Sequence, residues 1–275
     1  MQKTTYVVGL AVGAAAALVT VVAIPSLVPS SDDPTPQQKE ARVKAARVIK
    51  EAHDAARAGD KIQARAIREE KAQADRDARR RRLEGARLRA NETTAHATLR
   101  NVVAAQAQFQ AVARADENRN GTGEFGSFGE MSAAVGVRGG KAIKPPLLVA
   151  AFGKVEQGRF ERSGYYFRIF LPQRGGRGLA EREAGGFQAG DVDPELSETV
   201  WCCYAWPVER GVTGRRTFFV NQAGDVLETS DGGYSGERGP EAYAAFDPSS
   251  HSYGITGKIA IDSVGNDRAT WSQAR

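Results

Sequence analysis

A helix with one broad apolar face is predicted by the sequence Arg87-Leu-Arg-Ala-Asn-Glu-Thr-Thr-Ala-His-Ala-Thr-Leu-Arg-Asn-Val-Val-Ala-Ala-Gln-Ala-Gln-Phe-Gln110. Apolar residues return every three or four positions along it, at Leu88, Ala95, Leu99, Val102 and Phe109. The same face continues on either side, so we extend the predicted helix over Leu83–Arg114. A face this wide must be buried, and we expect it to pack on a sheet.

The sequence after Asp116 predicts that sheet. Gly-rich turns alternate there with short aromatic and β-branched runs. The predicted strands are Gly164–Leu171, Glu198–Trp206, Arg216–Val220 and Gly224–Glu228, with a hairpin turn at Asn221–Gly224 and prolines ending two strands at Pro172 and Pro207. The segment from Arg174 to Pro194 is predicted to be a polar loop outside the core. A helix followed by successive antiparallel strands gives an α+β fold, with the helix lying on a β-meander.

The N-terminal segment Tyr6–Ile24 has no charged residue. At ~1.5 Å per residue it is long enough for the ~30 Å hydrocarbon core of a bilayer, which predicts a membrane helix. A cleavable signal peptide ending near Ala23 is the alternative. Basic residues flank the segment on both sides, so charge alone does not fix its orientation. Four prolines between Pro25 and Pro36 predict a non-helical linker after it.

A charged helical segment is predicted from Gln37 onward, where Ala, Arg, Glu, Lys and Gln dominate. Its apolar stripe is narrow and consists of Ala41, Ala45, Val48, Ala52 and Ala55. Gly59-Asp60 interrupts the pattern, and two arrangements remain open: a helical hairpin, or one long solvated helix. We favour the hairpin, because a glycine inside a continuous helix costs about 1 kcal/mol.

The net charge of +5 is concentrated in this charged segment. The densest point is the basic patch Arg79, Arg80, Arg81 and Arg82. Such a patch attracts nucleic acid, anionic lipid head groups or acidic glycans without distinguishing them, and a solvated helix face is the plainer interpretation.

A possible calcium site follows the long helix, where the chain has the D-x-N-x-N-G beginning of a calcium-binding loop. Its candidate ligands are Asp116, Asn118, Asn120, Thr122 and Glu124. The twelfth position, which normally supplies a bidentate glutamate, is Ser127. The alternative is an Asx-rich turn that closes the helix. No other cofactor is predicted.

The sequence contains little that predicts an enzyme. The two cysteines, Cys202 and Cys203, are adjacent and lack metal-ligand spacing, so we expect two buried thiols. None of the three histidines, His53, His96 and His251, falls in a catalytic motif. Trp201, Tyr204 and Trp206 on one predicted strand indicate a core strand, with an exposed stacking platform as the alternative.

Two segments of the chain resemble type IV pilins and pseudopilins: Arg87–Gln110, and the turn Ala23-Ile-Pro-Ser-Leu27 that ends the apolar segment. The resemblance implies a pilin-like head and this organisation: a membrane anchor over 1–28, a linker over 29–38, the charged helical segment over 39–82 and the head over 83–275. Around Thr5–Leu10 the chain lacks the Gly-Phe processing site and the following glutamate of prepilins.

The function implied by the resemblance is that of a membrane-anchored, non-enzymatic, pilin-like structural or interaction protein of the bacterial cell envelope. It would be either an accessory of a type II secretion or type IV pilus system or a free-standing envelope protein. In both cases it would be single-pass in the inner membrane, with its head on the extracytoplasmic side. Its expected partners are membrane lipid, through the N-terminal helix, and envelope proteins. The alternative function is a DNA-binding pilin-like protein that uses the basic helical segment.

Overall fold

The computed structural model describes residues 36–250 and 254–274. The predicted membrane helix, most of the linker, the Ala23–Leu27 turn and His251 lie outside the described residues. The chain divides into two units, Met1–Arg79 and Arg80–Arg275. In the part of the chain that is described, no helix is both long enough and apolar enough to cross a membrane.

Helix α1 (Pro36–Ala111) is continuous over 76 residues, so the predicted hairpin at Gly59-Asp60 is wrong. The penalty of one glycine is small beside the helix propensity of the Ala, Arg, Glu and Lys residues around it. Ion pairs four residues apart add to it on both sides of Gly59, such as Arg47–Glu51 at 2.9 Å and Arg65–Glu69 at 2.8 Å.

The remaining elements are short. Two further α-helices are α2 (Phe128–Met131) and α3 (Pro194–Ser197), and 3-10 helices cover Val137–Gly139, Ala150–Gly153 and Pro248–Ser250. The strands are β1 (Phe160–Arg162), β2 (Tyr165–Pro172), β3 (Gly178–Ala180), β4 (Cys202–Pro207), β5 (Thr217–Asn221), β6 (Leu227–Thr229), β7 (Ser263–Val264) and β8 (Thr270–Gln273).

The strands form one antiparallel sheet in the order β1-β2-β4-β5-β6-β8-β7, and β3 pairs with β2. The strands predicted after Gly164 and Arg216 are confirmed, as is the turn after β5, where the Gly224 N–H donates to the Asn221 carbonyl at 3.0 Å. The strand predicted from Glu198 begins only at Cys202. The fold is therefore α+β, with a long helix and an antiparallel sheet.

One face of the sheet carries the main core, and α1 packs on it. Leu99, Val102 and Phe109 of the helix are fully buried, and they share a cluster with strand residues such as Phe167 and Val220. Near the end of the helix, the backbone of Gly126 lies directly against the Phe109 ring. A Cβ at position 126 would come within 2.7 Å of that ring. The predicted packing of the apolar helix face on the sheet is confirmed.

The second face of the sheet is also covered, which the sequence did not predict. A second cluster joins Phe170, Tyr204 and Phe219 to the C-terminal residues Phe246 and Trp271. The 174–194 segment is likewise part of the fold rather than a loop outside the core. It contributes β3 and three buried side chains, Glu181, Phe187 and Val192.

Polar contacts fix α1 against the sheet. Buried Glu92 accepts hydrogen bonds from the backbone N–H groups of Arg215 and Arg216, at 2.9 and 3.2 Å, and from Nε of Arg216 at 2.9 Å. One turn from the helix end, the Gln106 amide exchanges two hydrogen bonds with the backbone of Gly126, at 2.7 and 2.9 Å. These pairings fix the register of the helix, since each buried polar group is satisfied in only one position.

Candidate functional site

The D-x-N-x-N-G segment forms a tight loop directly after α1. The Asp116 carboxylate accepts the N–H groups of Asn120 and Gly121, both at 3.1 Å. The Asn118 side-chain oxygen accepts the Asn120 N–H at 3.1 Å, and the Asn120 side-chain oxygen accepts the Thr122 N–H at 2.7 Å. The loop is thus a succession of Asx turns, which is the turn expected from these residue types.

Glu198 supplies a carboxylate to this loop from a distant part of the chain. Its Oε1 accepts hydrogen bonds from Nδ2 of Asn118 at 2.9 Å and from Nδ2 of Asn120 at 2.8 Å. Glu198 is the C-cap of α3, and the Ser197 carbonyl accepts the Phe125 N–H at 2.8 Å, which holds α3 beside the loop. Glu198 was not among the predicted ligands, and the only signal for it in the sequence is the missing glutamate at the twelfth loop position.

Glu124, a predicted calcium ligand, is already engaged by other partners, and its role in binding calcium stays a prediction. It is fully buried, and its Oε2 pairs with Nη2 of Arg138 at 3.0 Å, while Oε1 accepts the Glu117 N–H at 2.6 Å. Burial raises the pKa of the Glu124 carboxyl above its usual range, and the Glu117 N–H and Arg138 oppose that shift. Ser127 is also occupied, because it forms a capping box with Glu130 at the start of α2.

The oxygens that could surround a cation are therefore those of Asp116, Asn118, Asn120 and Glu198. Each asparagine side chain carries both an oxygen and a nitrogen, and a half-turn of its amide would present the oxygen in place of the nitrogen. Calcium takes such oxygen ligands in flexible geometry. The exposed Thr122 could contribute its carbonyl. No group of three or more Asp, Glu, His or Cys side chains suited to a metal occurs among the described residues. Calcium binding stays a prediction.

Arg138 organises a buried ionic cluster next to the loop. Its guanidinium contacts Glu117 at 3.0 Å, Glu124 at 3.0 Å and Glu130 at 2.8 Å, with 5% of the side chain exposed. Burial alone would lower the pKa of Arg138, but Glu130 and Glu124 raise it beyond that effect. Since three carboxylates share one guanidinium, the cluster ties the loop, α2 and the 137–139 turn into one structure.

Glu181 is a second buried carboxylate, and it lacks a cationic partner among the residues described. Its oxygens accept backbone N–H groups from Phe128 at 3.2 Å, Gly129 at 2.7 Å and Gly186 at 2.8 Å. Burial raises the pKa of Glu181 to about 7, against the opposing effect of these N–H donors. This side chain joins the 174–194 segment to α2, and its charge depends on pH near neutrality.

The basic patch is not a single surface. Arg79, Arg80, Arg81 and Arg82 all lie on α1, and their side chains are exposed. Consecutive residues of a helix point about 100° apart, so these four side chains spread around the helix. Arg80 also pairs with Glu84 at 2.9 Å, which removes part of the positive field.

The expected environment of the cysteines and aromatic residues of β4 is confirmed. Cys202 and Cys203 are free, fully buried thiols that belong to opposite faces of the sheet. Burial raises the pKa of both thiols well above the usual range, so neither is a ready nucleophile. Tyr204 and Trp206 are fully buried as well, so the alternative of an exposed stacking platform on this strand is wrong.

The chain matches a protein family. A family model described as "Protein of unknown function (DUF2950)" matches residues 66–253, which include the C-terminal part of α1, the loop at Asp116 and strands β1 to β6. No curated protein and no solved structure matches the chain.

Proposed function

Because the chain belongs to the DUF2950 family, whose function is unknown, its role has to come from its own residues, and we propose a structural or interaction role without catalysis. In this proposal the protein is a pilin-like component of the bacterial cell envelope. It is anchored in the inner membrane by Tyr6–Ile24, with its head on the extracytoplasmic side, as an accessory of a secretion or pilus system. Its partners are membrane lipid and envelope proteins.

The observation that carries the proposal is the exposed part of α1. Residues 42–71 are all exposed, and large apolar side chains stand in that stretch without cover from any described residue. Val43, Val48, Ile49, Ile62 and Ile67 are each 60% to 71% exposed. At about 100° per residue, Val48, Ile49, Ile62 and Ile67 fall within one half of the helix, and Val43 does not. Helices in proteins gain most of their stability from packing an apolar face against another element. A helix that leaves such side chains in water is therefore well suited to receive a partner.

The head supports the pilin-like part of the proposal. A helix whose apolar face lies across an antiparallel sheet, followed in sequence by the strands of that sheet, is the arrangement that the resemblance implies. The described residues offer no exposed thiol, and the histidine at the helix–sheet contact, His96, stacks edge-on against Phe218 at 6.3 Å. These observations favour a scaffold over an active site.

Photo-crosslinking in whole envelopes tests the proposal. A photoreactive residue at Val48 or Ile62 should form discrete adducts with an envelope protein. The same residue at Arg57, on the opposite side of the helix at about 100° per residue, should form few. Equal adducts from all three positions, or none from any, would refute an apolar docking side. Recovery of the full-length chain in the soluble fraction after cell lysis would refute the anchor.

A second candidate function is DNA binding by the basic helical segment, which the exposed Arg79, Arg81 and Arg82 favour. Replacing these three arginines with glutamine should weaken a gel shift with duplex DNA at low salt. It should also flatten the dependence of affinity on salt, because each lost phosphate contact lowers that slope by about one. Absence of any gel shift at low salt would remove this function and leave the interaction role intact.

A further inference from the structure

Two arginines and two aromatic rings alternate on the second face of the sheet. The Arg159 guanidinium lies 4.6 Å from the centre of the Tyr166 ring, and the Arg168 guanidinium lies 5.5 Å from the centre of the Trp206 ring. The two rings are themselves 5.8 Å apart. Stacking of this kind holds each guanidinium in a fixed plane.

The strand register places the two arginines side by side. Phe160 of β1 is paired with Phe167 of β2, so Arg159 and Arg168 are the next residues on the two adjoining segments. Like charges directly across a strand pair destabilise a sheet. Accordingly, burial lowers the pKa of Arg168 and the neighbouring charge of Arg159 lowers it further, while the charge of Glu241 opposes the shift without cancelling it.

Nothing among the described residues neutralises this pair of charges well. Arg168 forms no ion pair in residues 36–250 and 254–274, and its Nε is buried without an acceptor. Its one hydrogen bond is from Nη2 to the Gln157 carbonyl at 3.3 Å. Arg159, with 10% of its side chain exposed, has one carboxylate near it, that of Glu237 at 3.5 Å, and Glu237 is 83% exposed. Partly buried charges without partners are costly, and an anion between them would remove that cost.

We propose that Arg159 and Arg168 form a binding site for a tetrahedral oxyanion, such as a phosphate or sulfate group. The planar forks of two guanidinium groups match the oxygens of such an anion. The rings of Tyr166, which is partly buried, and Trp206, which is fully buried, orient the two arginines. Glu237 is the internal competitor, and its exposed carboxylate swings into solvent when the anion binds. This site is independent of the proposed interaction role of α1, so either can fail alone.

Calorimetric titration of the full-length protein in detergent with inorganic phosphate tests the site. Sulfate and a phosphorylated sugar are titrated in the same way at constant ionic strength. The comparison of the phosphorylated sugar with inorganic phosphate distinguishes an ester from a free anion. Saturable binding of phosphate is the expected result. Arg168→Met keeps most of the stacked stem but removes the charge. It should weaken binding by about 10- to 100-fold, which corresponds to the loss of one charge-assisted hydrogen bond.

Two variants make the test specific. Arg162→Met removes a guanidinium on β1 that stacks on Phe152 at 5.5 Å, and it should leave phosphate affinity unchanged. Glu237→Gln removes the competitor and should tighten binding by up to about fivefold, the equivalent of an exposed ion pair. No saturable binding to the wild-type protein would overturn the proposal. So would equal loss in Arg162→Met and Arg168→Met, or unchanged affinity in a folded Arg168→Met protein with wild-type near-ultraviolet circular dichroism.

Discussion

Replacing Glu92 with alanine tests whether the helix is held to the sheet by a buried carboxylate. Glu92 is 4% exposed and satisfies three donors, namely the N–H groups of Arg215 and Arg216 and the Arg216 side chain. In the variant, these donors lose the Glu92 acceptor at the contact between α1 and the residues that precede β5.

The cost follows from the environment of each donor. A hydrogen bond to a charged group contributes roughly 1.5–3 kcal/mol, and the loss of a partner from a buried group costs a similar amount. Arg216 is 33% exposed and keeps its pair with Glu228 at 2.7 Å, so water and Glu228 recover part of the loss. We therefore expect Glu92→Ala to lower the free energy of unfolding by about 2–4 kcal/mol. For a head of this size, that lowers the unfolding temperature by about 5–12 °C.

Urea denaturation, followed by the fluorescence of the buried tryptophans, measures this change. The matched control is Glu84→Ala, which removes an exposed glutamate of the same helix that pairs with Arg80, and it should change stability by less than about 1 kcal/mol. If Glu92→Ala is no more destabilising than Glu84→Ala, the buried carboxylate does not anchor the helix and the reasoning is wrong.

Three further predictions concern the core, a buried carboxylate and the loop. Phe109→Ala should cost about 3–5 kcal/mol in urea denaturation, because the ring is fully buried, whereas Val112→Ala, at an exposed position, should cost far less. Burial raises the pKa of Glu181 to about 7, so the folded state holds a proton that the unfolded state releases near pH 4.5. The stability contributed by this group should therefore be complete below pH 4.5 and fall by about 3 kcal/mol as the pH rises through 7. Denaturation curves of Glu181→Gln should lose that decline, and an unchanged pH profile would contradict it. Millimolar calcium should raise the unfolding temperature of the wild-type protein and not that of Glu198→Gln, and an equal rise in both would exclude Glu198 as a ligand.

The helix–sheet contact was predictable because its signal is local and periodic. Leu99, Val102 and Phe109 recur at helical spacing, and the alternation of Tyr165, Phe167 and Ile169 gives one face of a strand directly. The side chains on that alternating face are buried against the helix, so the helical period and the strand alternation each identify residues of the same core.

The continuity of α1 was predictable only in part. The hairpin prediction depended on the cost of one glycine, Gly59, and not on the helix propensity of the whole segment. Helix formation is cooperative, so the many favourable residues on both sides outweigh one unfavourable position. A sum of propensities over the full segment, instead of a judgement at Gly59, would have favoured one helix.

The candidate site depended on contacts between distant residues, and these the sequence could not provide. Glu198 reaches the loop from 78 residues beyond Asn120, and the Arg159–Arg168 pair exists only through the register of two strands. Glu124 has the spacing of a loop ligand but is drawn into the core by Arg138. Spacing identifies a potential ligand, whereas its actual partner depends on which charges the fold brings near it.

Amide hydrogen exchange of the full-length protein tests whether the N-terminal half of α1 is a surface for a partner. The exchange is compared between purified protein in detergent solution and native envelopes. The account predicts strong protection of residues 88–109 in both samples, since the sheet covers that part of the helix. Residues 36–79 should exchange rapidly in the purified protein and become protected in envelopes, where a partner covers them. Slow exchange of 36–79 in the purified protein, or no gain of protection in envelopes, would contradict the claim that this half of the helix is an exposed surface for a partner.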